Sequence, residues 1–149
     1  MNILINAFGA VNSGGITVLE KISDELLQNQ HNQYIFICNH NEAIMKLVDK
    51  YKDLNNVEFQ IVVRKGFLYR MYFENIIFKK IINNHAINLI YNFSGTRQFF
   101  INIPQLIKVQ NLLFYSKKLD NSYKLNSQFI LWIKQVFLKR IVFKFMLNR

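Results

Sequence analysis

The sequence predicts an α/β fold whose sheet is mainly parallel, with helices on both faces. Three observations predict it. Short apolar runs of strand length alternate along the chain with segments whose apolar residues recur at helical spacing. Strands separated by helices need crossover connections, which make a parallel sheet covered on both sides. At 149 residues, 51% hydrophobic and 15% aromatic, the chain has the length of one domain and ample material for its core.

The elements follow in order. Ile3-Leu4-Ile5 starts a buried strand and residues 8–15 form a loop. Ile16, Leu19, Ile22, Leu26 and Leu27 then mark a helix, with Thr17 and Glu20 spaced as a capping box. Tyr34-Ile35-Phe36-Ile37-Cys38 is the second strand, and a short helix over 42–50 sets Ile44, Leu47 and Val48 on one side. The third strand, 57–62, alternates at first, as a strand nearer an edge does. A longer helix over 67–83 carries one stripe of Leu68, Tyr72 and Ile76 beside another of Phe73, Ile77 and Ile81, and Arg70 and Glu74 are spaced to pair. Ile87-Asn88-Leu89-Ile90-Tyr91 is the fourth strand, and Leu106, Ile107 and Val109 carry the fifth within 104–110.

The last segment, 126–149, reads as a helix that is apolar nearly all round, with Lys134, Lys139, Arg140 and Lys144 spread about its axis. Such a helix needs cover on several sides, inside something larger or against a membrane. Residues 1–149 contain no internal repeat and no linker, and read as a single domain.

Several chemistries are excluded. Cys38 is the only cysteine, which rules out an internal disulfide and a cysteine-based zinc cluster, and it reads as a small buried hydrophobe. His31, His40 and His85 lack metal-ligand spacing, so no metal site is expected. No Ser-His-Asp, Cys-His or paired-carboxylate arrangement is present, and no cofactor is called for. The first residues are too short for a signal-peptide core, and no uncharged apolar run approaches the roughly 20 residues that span a bilayer. The expected location is cytoplasmic.

The net charge of +10 favours polyanions or anionic headgroups, and 117–149 alone hold eight basic residues against Asp120. Nucleic acid is not an expected partner, because Arg64-Lys65, Lys79-Lys80, Lys117-Lys118 and Lys139-Arg140 are dispersed and no recognition module appears.

Ligands of parallel α/β sheets bind outside the carboxyl ends of the strands. Three loops open there. Phe8-Gly9-Ala10-Val11-Asn12-Ser13-Gly14-Gly15 precedes a helix amino terminus and suits a plain turn and a phosphate site alike; its spacing is neither the dinucleotide fingerprint nor the P-loop. Asn92 to Arg97 and Gln110 to Phe114 add amides, hydroxyls and a guanidinium, fit for sugar hydroxyls or for ordinary loop capping.

With these loops placed, the chain resembles the amino-terminal domain of family 4 (group 1) glycosyltransferases. The resemblance rests on Asn6-Ala7 through Gly14-Gly15 and the following helix, on Tyr69-Arg70-Met71-Tyr72-Phe73-Glu74-Asn75, on Ile87 through Gly95, and on Pro104-Gln105 through Gln110-Asn111-Leu112-Leu113-Phe114-Tyr115. It implies a Rossmann-like amino-terminal half of a GT-B fold, on the acceptor side of an enzyme that moves a sugar, with retention, from a nucleotide-sugar to a lipid-linked or polysaccharide acceptor. Gly14 and Gly15 would face the donor phosphates. Asn12, Ser13, Ser94, Gly95, Arg97, Gln110 and Asn111 would border the acceptor cleft. Gln110 stands where many relatives carry histidine, so no proton-handling role is assigned to it, and Asn88 stands where an acid is common.

The family's donor domain, with its paired glutamates, has no counterpart in 1–149, which implies an incomplete domain at the carboxyl end and a chain inactive alone. An anionic membrane surface, met peripherally at the inner face, is a further partner that the basic segment suggests. The alternative is a non-catalytic basic α/β domain that binds a membrane or a protein partner; another Rossmann-like enzyme is a third reading.

Overall fold

The computed structural model describes residues 1–11, 13–63, 66, 69, 72–93, 97–98, 101–108, 120–123, 129–137, 140–141 and 144. The chain divides into two compact units, Met1–Lys108 and Val109–Arg149.

The first unit holds a five-stranded, all-parallel sheet: β1 (Asn2–Ala7), β2 (Gln33–Asn39), β3 (Val57–Val62), β4 (Leu89–Asn92) and β5 (Gln105–Ile107). The strand order is β3-β2-β1-β4-β5, so this is the expected Rossmann-like arrangement, with β3 at an edge. The register sets Leu4 opposite both Ile35 and Ile90, and Ile5 opposite Phe36 and Tyr91.

Side chains alternate across a strand, so each strand feeds two cores. On one face Ile3, Ile5, Ala7, Tyr34, Phe36 and Cys38 pack with Ile16, Leu19 and Leu27 of the α1 (Ser13–Leu26) region and with Ile44, Leu47 and Tyr51 of α2 (Glu42–Tyr51). On the other, Leu4, Ile35, Ile37 and Ile90 pack with Phe73, Phe78, Ile81 and Ile82, the last three from α3 (Phe78–Asn84). Cover on both faces is why β1 and β2 read as unbroken apolar runs. Burial pushes the Cys38 thiol up to about 12, which keeps it protonated and inert at neutral pH.

Three features correct or refine the expected elements. First, α1 begins at Ser13, so Thr17 and Glu20 lie inside it and are no capping box, and the preceding loop is shorter than 8–15. Helix α2 carries a side-chain cap, Asn41 Oδ1 accepting from the Ile44 N–H at 2.9 Å. Second, Tyr72 and Ile76 of the one stripe are exposed, while Phe73 and Ile81 of the other are buried. A π-helical turn, Phe73–Ile77, explains this: the Phe78 N–H reaches Phe73 O, and the wider turn brings Phe73 and Phe78 onto the same buried face. Third, β4 starts later than expected, and β5 spans only Gln105–Ile107 among the described residues. The Arg70–Glu74 pairing lies outside the described residues.

Helix α3 ends with the Ile87 N–H on Ile82 O at 3.2 Å and Ala86 in the left-handed region at φ 48°. In the second unit, α4 (Phe129–Trp132) runs into a π-helical turn, Ile133–Phe137, where the expected long helix is described only in part. Trp132 stacks between Phe129 and Phe137 at 5.8 and 5.5 Å, and its Nε1–H donates to Asp120, which also pairs with Arg140 at 2.9 Å. Among the described residues, no helix is long and apolar enough to cross a membrane.

Candidate functional site

The sheet order reverses at β1. One half runs outward through β2 to β3, the other through β4 to β5, so the crevice of this fold lies outside the carboxyl ends of β1 and β4.

A row of carboxamides braces that edge. Leu4-Ile5-Asn6-Ala7 and Ile90-Tyr91-Asn92-Phe93 share one pattern, an amide after the apolar run, and parallel register sets Asn6 beside Asn92. Both are fully buried. Asn6 Nδ2 donates to Asn92 Oδ1 at 3.1 Å, and Asn92 Nδ2 donates to Gln105 Oε1 at 2.9 Å. Gln105 in turn holds the Gln98 backbone at both N–H and carbonyl, each at 3.0 Å. Asn6 Oδ1 also accepts from the Phe8 N–H at 3.3 Å, fixing the chain as it leaves β1. The Phe8 ring stacks on Phe73 at 5.2 Å, so the π-helical turn anchors this exit. Gln98 is 2% exposed, and among the described residues its own carboxamide has no hydrogen-bond partner.

Gly14 and Gly15 sit in the first turn of α1 at this same edge. A Cβ on Gly14 would meet nothing within 4 Å, and one on Gly15 only the Ala10 Cα at 3.8 Å. Neither glycine is demanded by packing, although each costs up to about 1 kcal/mol against alanine inside a helix. Arg97 is half-buried just past β4. Asn12, Ser94, Gly95, Gln110 and Asn111 lie outside the described residues, and of Ser13 only the helical backbone is described.

Reading the sequence missed Asn6, Gln98 and Lys108 as parts of this edge. The repeated amide at two strand ends was a usable signal for Asn6. Gln98 and Lys108 gave none, because their positions depend on β5 pairing with β4.

The carboxylates whose partners are defined lie elsewhere. Glu20 and Asp24 of α1 share Lys50 of α2, at 3.0 and 2.9 Å, and Asp24 accepts from the Tyr51 hydroxyl, so this cluster ties two helices. Tyr51 first and Lys50 second hold Asp24 below the ordinary carboxylate range. Among the described residues, no three His, Cys, Asp or Glu side chains converge as a metal site.

A cleft of about 380 Å³ opens at the opposite edge, lined by Asn2, Gln33, Asn55, Glu58 and His85 among others. Its polar groups already serve one another. Asn2 Nδ2 donates to His85 O at 2.7 Å, His85 Nδ1 lies 3.6 Å from Glu58, and Gln60 Nε2 lies 3.3 Å from His85 Nε2. They tie the end of α3 to β1 and β3, and the carboxyl edge is the better candidate. No family model, curated protein or solved structure matches this chain, so its candidate site is defined by its own chemistry.

Proposed function

We propose that this chain is the acceptor-side half of a nucleotide-sugar-dependent glycosyltransferase of the GT-B type, working in cell-surface glycan synthesis. The observation that carries the reading is the Gly14-Gly15 turn, set at the switch point of a β3-β2-β1-β4-β5 sheet with open space above Gly14. Bare backbone at a helix amino end suits the donor's diphosphate. In this reading Asn12, Ser13, Ser94, Gly95, Arg97, Gln110 and Asn111, which the resemblance assigns to the cleft, supply the amides, hydroxyls and guanidinium for a hydroxylated acceptor, such as a lipid-linked or polysaccharide glycan. Catalysis in this reading comes from positioning and from stabilising charge on the leaving phosphate, which two domains closing on the donor supply together. The chain alone therefore turns over no nucleotide-sugar. Its place of work is the cytoplasmic face of the inner membrane.

The test joins the chain to a donor domain of the kind this reading requires. Transfer from a panel of nucleotide-sugars should appear only with both parts present. Gly14→Ala and Gly15→Ala should each raise thermal stability, by up to about 1 kcal/mol, while lowering transfer at least tenfold. Equal transfer by the alanine variants, or turnover by the chain alone, would overturn the reading.

One observation favours a second reading, a non-catalytic domain that binds anionic membranes. Phe129, Ile130, Leu131, Phe137 and Ile141 are exposed within the basic segment 117–149. Each lysine or arginine near such a surface contributes about 1 kcal/mol. Co-sedimentation with anionic vesicles, lost on neutral vesicles and at high salt, is the result expected of that surface. Binding that ignores lipid charge would remove its electrostatic basis.

A further inference from the structure

Lys108 closes the first unit, directly after β5. Its N–H bonds Asn92 O at 2.9 Å, continuing the parallel ladder, so its backbone is held by the sheet. Its ammonium lies 4.3 Å from the centroid of the Phe93 ring. Phe93 is fully buried and shares its apolar cluster with Ala7, Ala10 and Ile16, which puts the lysine on the α1 side of the carboxyl edge.

Among the described residues no carboxylate comes within ion-pair distance of Lys108; Glu20 and Asp24 pair with Lys50, Glu42 with Lys46 and Glu58 with His85. The side chain is half-buried, and burial lowers its proton affinity below that of a free lysine. The ring face attracts the cation but supplies no hydrogen-bond acceptor for its three N–H donors. A part-buried ammonium held at the carboxyl edge of the sheet, with no carboxylate partner among the described residues, is suited to an anionic ligand.

We propose that Lys108 binds a phosphate group of a small-molecule ligand at the carboxyl ends of β4 and β5, with the Phe93 ring as the shelf that holds the ammonium in place. Phosphate is preferred over carboxylate because lysine acts as a point charge, whereas planar carboxylates are matched best by the arginine fork. The assignment deepens the transferase reading, and rests on it only for naming the phosphate as a donor's.

The probe is inorganic pyrophosphate, titrated into the full chain by calorimetry and by NMR of the lysine ammonium groups. Wild-type protein should show saturable, salt-sensitive binding at millimolar concentrations or below, with the Lys108 ammonium signal shifting. Lys108→Met keeps the apolar stem over Phe93 and should weaken binding at least about tenfold, and Lys108→Arg should largely preserve it. Should the methionine variant fold poorly, the ammonium shift in the wild-type chain still decides. Unchanged affinity in Lys108→Met, an unmoved Lys108 signal or displacement by acetate as effective as by phosphate would each overturn the assignment. Pyrophosphate binding through Lys108 without any binding of nucleotide-sugars would keep the phosphate site and sink the transferase reading, so the two fail separately.

Discussion

Phe36→Ala should lower the unfolding free energy by about 3–5 kcal/mol, the largest effect of any single truncation considered for this chain. Phe36 lies in β2, between β1 and β3, and is fully buried. Its ring stacks on Phe59 at 4.9 Å and belongs to the core that α1 and α2 cover. Alanine would leave a ring-sized hole walled by two strands, and a parallel sheet cannot close on it without breaking its register. Urea unfolding followed by circular dichroism measures the loss. Phe59→Ala, at a half-buried position on the edge strand, should cost clearly less. Equal losses at the two sites would mean that β2 is not the centre of this core.

Asn92→Ala should cost about 2–4 kcal/mol, a large value for a short polar side chain. Its carboxamide accepts from Asn6 Nδ2 and donates to Gln105 Oε1, and it has no access to solvent. Truncation leaves the Asn6 amide buried without that acceptor and frees Gln105 from one of its restraints. The Gln98 backbone, which Gln105 holds, then loses part of its support. A double-variant cycle separates this network from simple cavity formation. Asn6→Ala with Asn92→Ala should cost less than the two single changes added together, because the second change removes the orphan created by the first. Strict additivity would show that the two amides do not depend on each other.

The particular elements show where reading the sequence succeeds. Ile3-Leu4-Ile5 and Tyr34 through Cys38 are apolar on both faces, and only a doubly covered strand tolerates that, so their burial in a sheet with helices on both sides was legible. The mixed pattern of Val57-Glu58-Phe59-Gln60 likewise marked an edge strand. The start of α1 was not legible. Glycines are poor helix formers, so Gly14 and Gly15 read as loop, yet both lie in the first turn. The π-helical turn at Phe73–Ile77 was equally hidden, since apolar residues at ordinary helical spacing carry no sign of a wider turn.

The site divides in the same way. Local composition alone determined that the chain forms parallel strands joined by helices, that Cys38 is a core residue, and that a glycine pair stands next to a helix amino end. Those features depend on a residue and its near neighbours, through propensity and periodic burial. Which strands lie side by side was settled only by the tertiary structure. Parallel pairing across the β1–β4 switch point joins Asn6 to Asn92, 86 residues apart, and the pairing of β5 with β4 carries Lys108 over Phe93. No local pattern encodes that choice, because a strand's hydrogen-bonding edges are chemically alike and its neighbour is selected by how the helices pack on the two faces of the sheet.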